Sequence, residues 1–304
     1  MISLLRPGHW WWRAQRDFKR GMRSTVGDYF TGPKIWRWRN PFATTTLQSV
    51  PIALVLGHEH VTMAAWMLAS WTVVTGRNWQ IVLHDDGTLP ADTIGRLHHL
   101  GLDVTLVSRA EGNVRTAAAL ATCDLCRRYR EQYPLGLKLI DAPLLQSSDR
   151  FILLDPDVLF FRPPSEIIRW VDDVDDLSCW FNADVAEASN VPAAEARNRL
   201  GVSLWPRVNS GLCLLTRKAI DLDFCERALH DTGILSGHFW RVEQTLFALC
   251  ASRLGRGGLL PSSYEVTLAP HLSPGAVARH YVGAVREKFW GEGVPRIARS
   301  ILSR

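Results

Sequence analysis

Short apolar runs alternate with helically spaced apolar residues between positions 51 and 155, and this alternation constrains the fold more than any other feature of the sequence. The run from Pro51 to Leu56 ends at Gly57, and apolar residues then recur at helical intervals over residues 59–75. Strands that alternate with helices are typical of α/β proteins, in which a mostly parallel sheet carries helices on both faces. The same pattern predicts strands at 79–83, 102–107 and 151–155, and helices at 90–100, 113–131 and 135–147.

The pattern becomes less regular after about residue 177. Residues 183–207 are polar and rich in alanine, and two interpretations stay open for them: a loop on the acceptor side of a site, or an ordinary surface excursion. A chain of 304 residues is long enough for one large domain and an extension, and we expect a single α/β domain over residues 50–304. Its remaining elements are expected to be strands at 179–181, 212–215, 259–261 and 279–282, and a helix at 240–254.

The positive charge of the chain is concentrated in its first 40 residues. These contain nine arginines and lysines and two aspartates, whereas the whole chain has 35 basic and 30 acidic residues. The net charge is therefore +7 within the first 40 residues and −2 over the remainder. Because the excess lies outside the main domain, it gives no support for nucleic-acid binding by that domain. Residues 1–49 are expected to form a basic, tryptophan-rich extension.

This extension also contains five of the thirteen tryptophans, and two main hypotheses explain them. A third, an arm that stacks on single-stranded nucleic acid, has no other support in the sequence. If residues 10–23 are helical, Trp11, Phe18 and Met22 share one stripe and the basic side chains lie elsewhere. One hypothesis is a segment that binds an anionic membrane surface, because tryptophan favours the interface and basic residues favour anionic lipid. The other is an arm that packs its tryptophans on the main domain. The five tryptophans are Trp10, Trp11, Trp12, Trp36 and Trp38.

Several features predict a cytoplasmic location, either in solution or peripherally on a membrane. The best candidate for a spanning helix, residues 50–74, is interrupted by His58, Glu59 and His60. The N-terminus lacks the apolar core and the small-residue cleavage site of a signal peptide. Six cysteines are too few for a disulfide framework and favour a reducing compartment. Cys123 and Cys126 have the spacing of a metal-binding pair without a second pair, so we expect buried free thiols.

Two aspartates follow the apolar run at 151–154, and they are the strongest candidates for chemistry. Successive strand residues point to opposite faces, so Asp155 and Asp157 do not converge in an extended strand. Pro156 turns the chain between them, which allows both carboxylates to reach one cation. Carboxylate oxygens suit Mg²⁺ and Mn²⁺, which commonly bridge a protein carboxylate and a diphosphate. The alternative is a turn in which Asp155 caps a backbone amide and Asp157 is solvated.

Four short segments carry motifs in a recognisable order. Residues 135–161 contain a Lys-Leu pair before the strand that ends in Asp-Pro-Asp, and residues 208–215 contain Asn-Ser-Gly. A Glu243-Gln244 pair and the segment His280-Tyr-Val-Gly283 follow. This order resembles the retaining glycosyltransferases of the GT-A fold, the group that contains glycogenin and the bacterial lipopolysaccharide galactosyltransferases. The resemblance covers about residues 51–290 and implies a Rossmann-like, mostly parallel sheet with helices on both faces.

The resemblance implies a role for each matched residue. Asp155, Asp157 and His280 would bind Mn²⁺ (or Mg²⁺) on the diphosphate of the donor. Glu243 and Gln244 would form the catalytic pair that faces the anomeric carbon. The residues implied in binding the donor are Gly57, His58, Lys138, Asn209, Ser210, Gly211, Gly283, Arg286 and Lys288.

The sequence departs from the family pattern after the motif histidine. The family usually has a lysine six residues after that histidine, whereas this chain has Arg286 there and Lys288 two residues later. Both cations stay open as candidates for neutralising the departing diphosphate. The acidic residue before Gln244 is Glu rather than Asp, so its carboxylate is displaced by one methylene group.

We therefore expect a metal-dependent glycosyltransferase that moves a sugar from a nucleotide-diphosphate donor to an acceptor hydroxyl. The resemblance implies a UDP-sugar donor and retention of configuration, and the basic extension suggests a glycan or lipid-linked acceptor. One alternative is a non-catalytic binding module that keeps this fold and docks at membranes. Another is a phosphotransferase of the haloacid dehalogenase type, although that family carries its Asp-x-Asp motif on the first strand.

Overall fold

A sheet of seven strands forms the centre of the computed structural model, which describes residues 20–303 and, before them, residues 15, 17 and 18. The strands are β1 (Leu47–Leu56), β2 (Asn78–Asp85), β3 (Asp103–Val107), β4 (Arg150–Leu154), β5 (Val158–Phe160), β6 (Cys179–Ala183), β7 (Val208–Thr216), β8 (Gly257–Leu259), β9 (Tyr264–Val266) and β10 (Ala278–His280). The central sheet has the order β3-β2-β1-β4-β7-β6-β8. β7 runs antiparallel to β4 and β6, and the other neighbouring pairs are parallel. The expected mostly parallel sheet is confirmed.

Helices cover both faces of this sheet, as the alternation in the sequence predicts. They are α1 (Met22–Val26), α2 (Val61–Thr75), α3 (Thr93–His99), α4 (Arg109–Thr116), α5 (Asp124–Gln132), α6 (Leu135–Leu139), α7 (Asp141–Leu144), α8 (Ser165–Asp172), α9 (Ala193–Leu200), α10 (Leu222–Asp231), α11 (Val242–Leu254) and α12 (Val294–Leu302). The side chains of β4 show the division between the faces. Ile152 belongs to the buried cluster that includes Trp66 of α2, whereas the adjacent Phe151 belongs to the cluster that includes Phe247 of α11.

A second, small sheet brings His280 next to the Asp-Pro-Asp turn. β10 pairs antiparallel with β5 and parallel with β9. In the register of β5 and β10, His280 lies opposite Val158, the residue that follows Asp157. The backbone N–H of Tyr281 donates to the carbonyl of Asp157 at 2.9 Å, which extends this pairing into the turn itself.

The single helix expected at 113–131 is wrong, because the structure has α4 and α5 with turns between them. The carboxylate of Glu226, on α10, accepts hydrogen bonds from the backbone N–H groups of Leu125 and Cys126 at 2.8 and 2.9 Å. A carboxylate that binds the unpaired N–H groups of a first turn stabilises the start of a helix there. This contact joins segments that are far apart in sequence, so the local apolar spacing does not reveal it.

The helix expected at 135–147 is divided into α6 and α7. Pro143 has no N–H group and therefore cannot donate to the carbonyl of Leu139, four residues earlier. Within the excursion at 183–207, the structure adds α9. The other expected elements occur close to their predicted bounds, with β1 and β7 beginning earlier than expected.

The cysteines confirm the expectation of buried thiols. All six are free and buried, including Cys123 and Cys126. Burial raises the pKa of the Cys126 thiol, and the nearby carboxylate of Glu226 raises it further. The thiolate is the form that binds metal and attacks electrophiles, so a raised pKa makes this thiol inert.

The final part of the N-terminal extension packs on the α/β domain. Ile35 and Trp38 are buried in the same cluster as α2, and the indole N–H of Trp66 donates to the carbonyl of Gly32 at 2.9 Å. Residues from Gly32 onward therefore contribute to the core. Trp36 is partly buried and packs against the same cluster, whereas Trp10, Trp11 and Trp12 lie outside the described residues.

The described residues before Gly32 expose a series of apolar side chains. Phe18, Met22 and Phe30 are 90%, 83% and 69% exposed, and Val26 is also exposed. Met22, Val26 and Phe30 recur at intervals of four residues along the helical segment that begins at Met22, whereas Gly21, with φ of 79°, interrupts the helix between Phe18 and Met22. Among the residues that the structure describes, no helix is long and apolar enough to cross a membrane.

A buried ion pair fixes the segment that carries Lys138. Nε and Nη2 of Arg130 donate to the two carboxylate oxygens of Asp141 at 2.6 and 2.7 Å, and both side chains are almost fully buried. Gly112 lies against the pair, where a Cβ would overlap the carboxylate. Because Arg130 is on α5 and Asp141 is on α7, the pair joins the helices that precede and follow α6, the helix of Lys138.

We predict that Asp141→Ala lowers the free energy of unfolding by about 3–5 kcal/mol, because it leaves the buried guanidinium of Arg130 without an opposite charge, with only the neutral amide of Asn113 as a side-chain acceptor. Urea unfolding followed by circular dichroism measures this change. The matched control is Glu111→Ala, which breaks the exposed pair with Arg115 and should cost less than about 1 kcal/mol. Equal costs for the two variants would show that the buried pair has no special role.

Candidate active site

Asp155 and Asp157 lie on a turn at the carboxyl end of β4. The backbone N–H of Asp155 donates to the carbonyl of Gly211 at 2.8 Å, and the N–H of Val158 donates to the carbonyl of Asp155 at 3.2 Å. Asp157 is only 2% exposed, whereas Asp155 is partly exposed. The alternative of a solvated Asp157 is therefore wrong.

The three expected metal ligands lie close together. Asp155, Asp157 and His280 each offer one ligand atom, and these atoms all lie within 4.8 Å of one another. Nε2 of His280 is 3.1 Å from Oδ1 of Asp157 and 3.7 Å from Oδ2 of Asp155. Two carboxylates with one imidazole suit Mn²⁺ or Mg²⁺ better than a metal that prefers thiolates. The residues present therefore fit a divalent cation.

Ion pairing outweighs burial in its effect on the pKa values of Asp157 and His280. Burial by itself would raise the pKa of Asp157, but His280 and Arg286 outweigh burial and hold that pKa well below its usual range. Burial by itself would lower the pKa of His280, but Asp157 and then Asp155 outweigh it and raise that pKa. The negative potential that raises the pKa of His280 is also the potential that attracts a divalent cation.

Of the two cations that the sequence left open, the structure brings Arg286 to the cluster. Nε of Arg286 donates to Oδ2 of Asp157 at 2.8 Å, and the arginine side chain remains partly exposed. Nζ of Lys288 instead donates to the carbonyls of Ala269 and Pro270, at 3.4 and 3.0 Å. Lys288 lines a separate cavity.

Lys138 connects Asp155 to Glu243. Its Nζ lies 2.9 Å from Oδ1 of Asp155 and 3.0 Å from Oε1 of Glu243, and it donates to the carbonyl of Ser210 at 3.1 Å. Burial by itself would lower the pKa of Lys138, but Asp155 and Glu243 outweigh it and raise that pKa well above its usual range. Lys138 is therefore a fixed positive charge between two carboxylates.

Glu243 and Gln244 are buried at the start of α11 and make internal hydrogen bonds. Oε1 of Glu243 accepts from the hydroxyl of Ser210 at 2.6 Å, and Oε2 accepts from the backbone N–H of Gln244 at 2.6 Å. Nε2 of Gln244 donates to the carbonyl of Ala188 at 3.0 Å, and Oε1 accepts from the backbone N–H of Ser210 at 3.3 Å. Through Ser210 and Lys138, the structure connects this pair to the Asp155 carboxylate.

Asn209, Ser210 and Gly211 lie on β7, directly beside the cluster. Oδ1 of Asn209 is 2.8 Å from Nδ1 of His280. A Cβ at position 211 would overlap the ring of His280, so the absence of a side chain there lets the ring lie against the strand. The Asn-Ser-Gly motif therefore positions both His280 and Glu243.

A cavity of about 240 Å³ opens beside the cluster, and its lining includes Lys138 and Arg286. Gly57 lines it at the end of β1, where a Cβ would overlap the carboxylate of Asp86. Asp86 and His60 also line the cavity, and sequence reasoning did not select them. Both residues follow predicted strands closely, Asp86 after β2 and His60 after β1. This position could have identified them, because ligands of such sheets bind beyond the carboxyl ends of the strands.

Of the nine expected donor-binding residues, only Gly57, Lys138 and Arg286 belong to this lining. The six outside it are Asn209, Ser210, Gly211 and Lys288, described above, and His58 and Gly283. His58 is exposed, and its backbone N–H and its ring Nδ1 lie 3.1 and 3.2 Å from the hydroxyl of Thr88. Gly283 is exposed at the start of the helical turn Gly283–Val285, which leads to Arg286. The structure thus places both at the periphery of the site.

The architecture is shared with solved glycosyltransferases. Mouse xyloside xylosyltransferase 1 is 10% identical and matches with a TM-score of 0.54 over 78% of this chain and 98% of that chain. The bifunctional glycosyltransferase WbbM is 16% identical, with a TM-score of 0.53 over 84% of this chain and 52% of that chain. GlyE of Streptococcus pneumoniae TIGR4 is 12% identical, with a TM-score of 0.51 over 84% of this chain and 62% of that chain.

No family model and no curated protein matches the sequence. The chain spans about half the length of WbbM and less than two thirds of GlyE. At 10% to 16% identity, the similarity to these structures establishes a shared fold alone. The protein has the GT-A fold of these glycosyltransferases, as the motifs in its sequence implied.

Proposed function

We propose that this protein is a metal-dependent glycosyltransferase that moves a sugar from a nucleotide-diphosphate donor to an acceptor hydroxyl. The observation that carries the proposal is the cluster of Asp155, Asp157 and His280 beside a cavity. This cluster lies at the carboxyl ends of β1 and β4, where the strand order reverses, which is the usual ligand site of open α/β sheets. A divalent cation bound there supplies electrostatic stabilisation for the donor diphosphate.

Arg286 is the proposed partner of the departing diphosphate. Its guanidinium is anchored to Asp157 through Nε, and the side chain lines the cavity while it remains partly exposed. A guanidinium offers further N–H donors in a planar arrangement that matches phosphate oxygens. The guanidinium of Arg286 would therefore stabilise the negative charge that develops on the leaving diphosphate.

Glu243 is the proposed stabiliser of the positive charge that develops on the sugar. Lys138, Ser210 and the backbone N–H of Gln244 hold its carboxylate in one orientation, as an ion pair. Because both oxygens already accept hydrogen bonds, we assign to this group an electrostatic role rather than that of a nucleophile. Retention of configuration, with the acceptor attacking from the side of the leaving group, is part of the proposal.

The proposed donor is a UDP-sugar, and the proposed acceptor is a glycan or a lipid-linked glycan. The choice of UDP is supported by the motifs that resemble the GT-A family. Gly57 and His58 would lie beside the base and ribose, and Asn209 would lie beside the sugar. The non-catalytic alternative predicts metal-dependent nucleotide binding without turnover, so turnover is the measurement that separates the two.

We predict that Asp157→Asn lowers the Mn²⁺-dependent release of UDP from a UDP-sugar by about 100-fold or more. The substitution preserves shape and removes the charge that pairs with His280 and Arg286. UDP release from a panel of UDP-hexoses and UDP-pentoses requires no knowledge of the acceptor. Asp175→Asn, at an exposed aspartate, is the control and should keep parental turnover. Parental turnover in Asp157→Asn would contradict the metal assignment.

The two cations after the motif histidine give a second, matched prediction. Arg286→Ala should lower kcat/KM for the same reaction by roughly 10- to 100-fold, because a hydrogen bond between charged groups is lost. Lys288→Ala should leave kcat/KM close to parental, since its Nζ is bound to backbone carbonyls away from the cluster. Steady-state kinetics of UDP release measures both, and the reverse ranking would overturn the choice of Arg286.

An anionic membrane surface is the proposed partner of the N-terminal segment. Phe18, Met22 and Phe30 expose apolar surface, and basic residues surround this segment in the chain and on the adjacent helix. α12 contacts residues 27–37. The exposed apolar side chains would insert into the membrane interface, and the basic side chains would bind anionic headgroups. Both interactions favour an orientation in which this segment faces the membrane. The exposed basic residues include Arg23, Lys34, Arg37, Arg39, Arg296 and Arg299.

We predict that the triple variant Phe18→Ser, Met22→Ser, Phe30→Ser lowers binding to vesicles that contain anionic phosphatidylglycerol by about 10-fold or more. Flotation in a density gradient measures the bound fraction, with neutral phosphatidylcholine vesicles as reference. Val114 and Val174 are also exposed but lie elsewhere, so their replacement by serine provides the control. Equal flotation of parent and triple variant would refute the membrane hypothesis.

A further inference from the structure

We propose that Asp184 and Asn209 act as positioning residues that orient His280 for the divalent cation. Asp184 follows β6, Asn209 lies on β7 and His280 ends β10, so their hydrogen bonds connect the two sheets. The inference rests on the proposed metal site. It gives Asn209 a role in addition to the contact with the donor sugar that the family resemblance implies, and it adds a residue that no motif selected.

The contacts of Asn209 determine which end of its amide faces the histidine. Nδ2 donates to Oδ2 of Asp184 at 2.9 Å, and Oδ1 accepts from the backbone N–H of Gly211 at 3.1 Å. A carboxylate only accepts hydrogen bonds and a backbone N–H only donates them. Rotation of the amide by half a turn would therefore lose both bonds, so the oxygen faces His280.

This orientation determines the tautomer of His280. Oδ1 of Asn209 lies 2.8 Å from Nδ1 of His280, and an amide oxygen only accepts, so Nδ1 carries a proton. Nε2 is the nitrogen that faces Asp157 and Asp155. A histidine whose second nitrogen donates to an oxygen acceptor has a fixed tautomer and a fixed ring orientation for metal binding.

Asp184 is itself held by backbone contacts. Its backbone N–H donates to the carbonyl of Arg207 at 2.7 Å, and the guanidinium of Arg207 donates to the carbonyl of Asp184. Oδ1 accepts from the backbone N–H of Val185 at 2.7 Å, which leaves Oδ2 for Asn209. Both carboxylate oxygens of Asp184 therefore accept hydrogen bonds at the same time. An asparagine at position 184 would direct its own NH₂ group toward one of these two donors and lose that hydrogen bond.

The ring of His280 has little freedom to adopt another orientation. It is 6% exposed, and it lies against β7 at the position where Gly211 has no side chain. A ring that is packed on one side and bonded at Nδ1 presents Nε2 to the carboxylates in one direction. The hydrogen bonds of Asp184 and Asn209 therefore fix the orientation of the His280 ring before a cation binds.

Binding of Mn²⁺ alone to the full chain, measured by the electron paramagnetic resonance signal of the free ion, tests this arrangement without nucleotide or sugar. Asn209→Ala and Asp184→Asn should each weaken Mn²⁺ binding by about 10- to 100-fold. His280→Ala should lose most of the binding, and Asp175→Asn should keep the parental dissociation constant. Circular dichroism confirms that each variant is folded.

A double variant separates positioning from general destabilisation. Because Asp184 acts through Asn209, the combination Asp184→Asn with Asn209→Ala should bind Mn²⁺ no more weakly than Asn209→Ala alone. Additive losses, or parental affinity in the single variants, would overturn the inference. If His280→Ala loses Mn²⁺ while both single variants keep it, the metal site stands and only the positioning role is wrong. If the parent binds no Mn²⁺, both are wrong.

The tautomer provides a measurement that needs no altered protein at these two positions. In the Mg²⁺-saturated full chain labelled with ¹⁵N-histidine, long-range ¹H–¹⁵N spectra should show the proton of His280 on Nδ1. Comparison with His280→Gln assigns the signal. A proton on Nε2 with an unprotonated Nδ1 would contradict the inference.

Discussion

The pairing of β5 with β10 is the interaction on which the site depends. It places His280 opposite Val158 and ties the backbone of Tyr281 to Asp157, so that residues distant in sequence share one cluster. The Asp-Pro-Asp turn is in turn held to β7 through the carbonyl of Gly211. Two backbone pairings, rather than flexible side chains, thus set the distances among the three ligands. Rigid elements of this kind hold a metal site in the geometry that the ion requires.

Charge balance explains how several ionised groups remain buried together. Asp155 and Glu243 share Lys138, whereas Asp157 is paired with His280 and Arg286. Each buried carboxylate has a cation within hydrogen-bond distance, which offsets much of the cost of removing it from water. Arg286 differs from Lys138 because it is partly exposed at the cavity. A site with one internal cation and one accessible cation suits a ligand that brings its own negative charge.

Local patterns predicted the sheet and selected Asp155 and Asp157, because these features depend on residues within or directly after strands, whereas His280 was selected only through the resemblance to the GT-A family. They failed where a distant contact decides the outcome: Glu226 starts a helix at Asp124 that the apolar spacing had merged with α4. Spacing alone left Arg286 and Lys288 open, since the path of the chain after His280 decides which of them reaches Asp157. Asp184 had no motif to mark it, and its role emerges only from its contact with Asn209.

The central claim is that this chain binds a nucleotide-diphosphate donor through a divalent cation. The most direct measurement is calorimetric titration of UDP, with GDP, ADP and CDP for comparison, into the full chain with and without Mn²⁺. We expect UDP to bind in the presence of Mn²⁺ and to bind much more weakly, or not at all, without it, because Asp155, Asp157 and Arg286 line the cavity and His280 lies against the two carboxylates. Binding of none of the four nucleotides, with or without Mn²⁺, would contradict this claim.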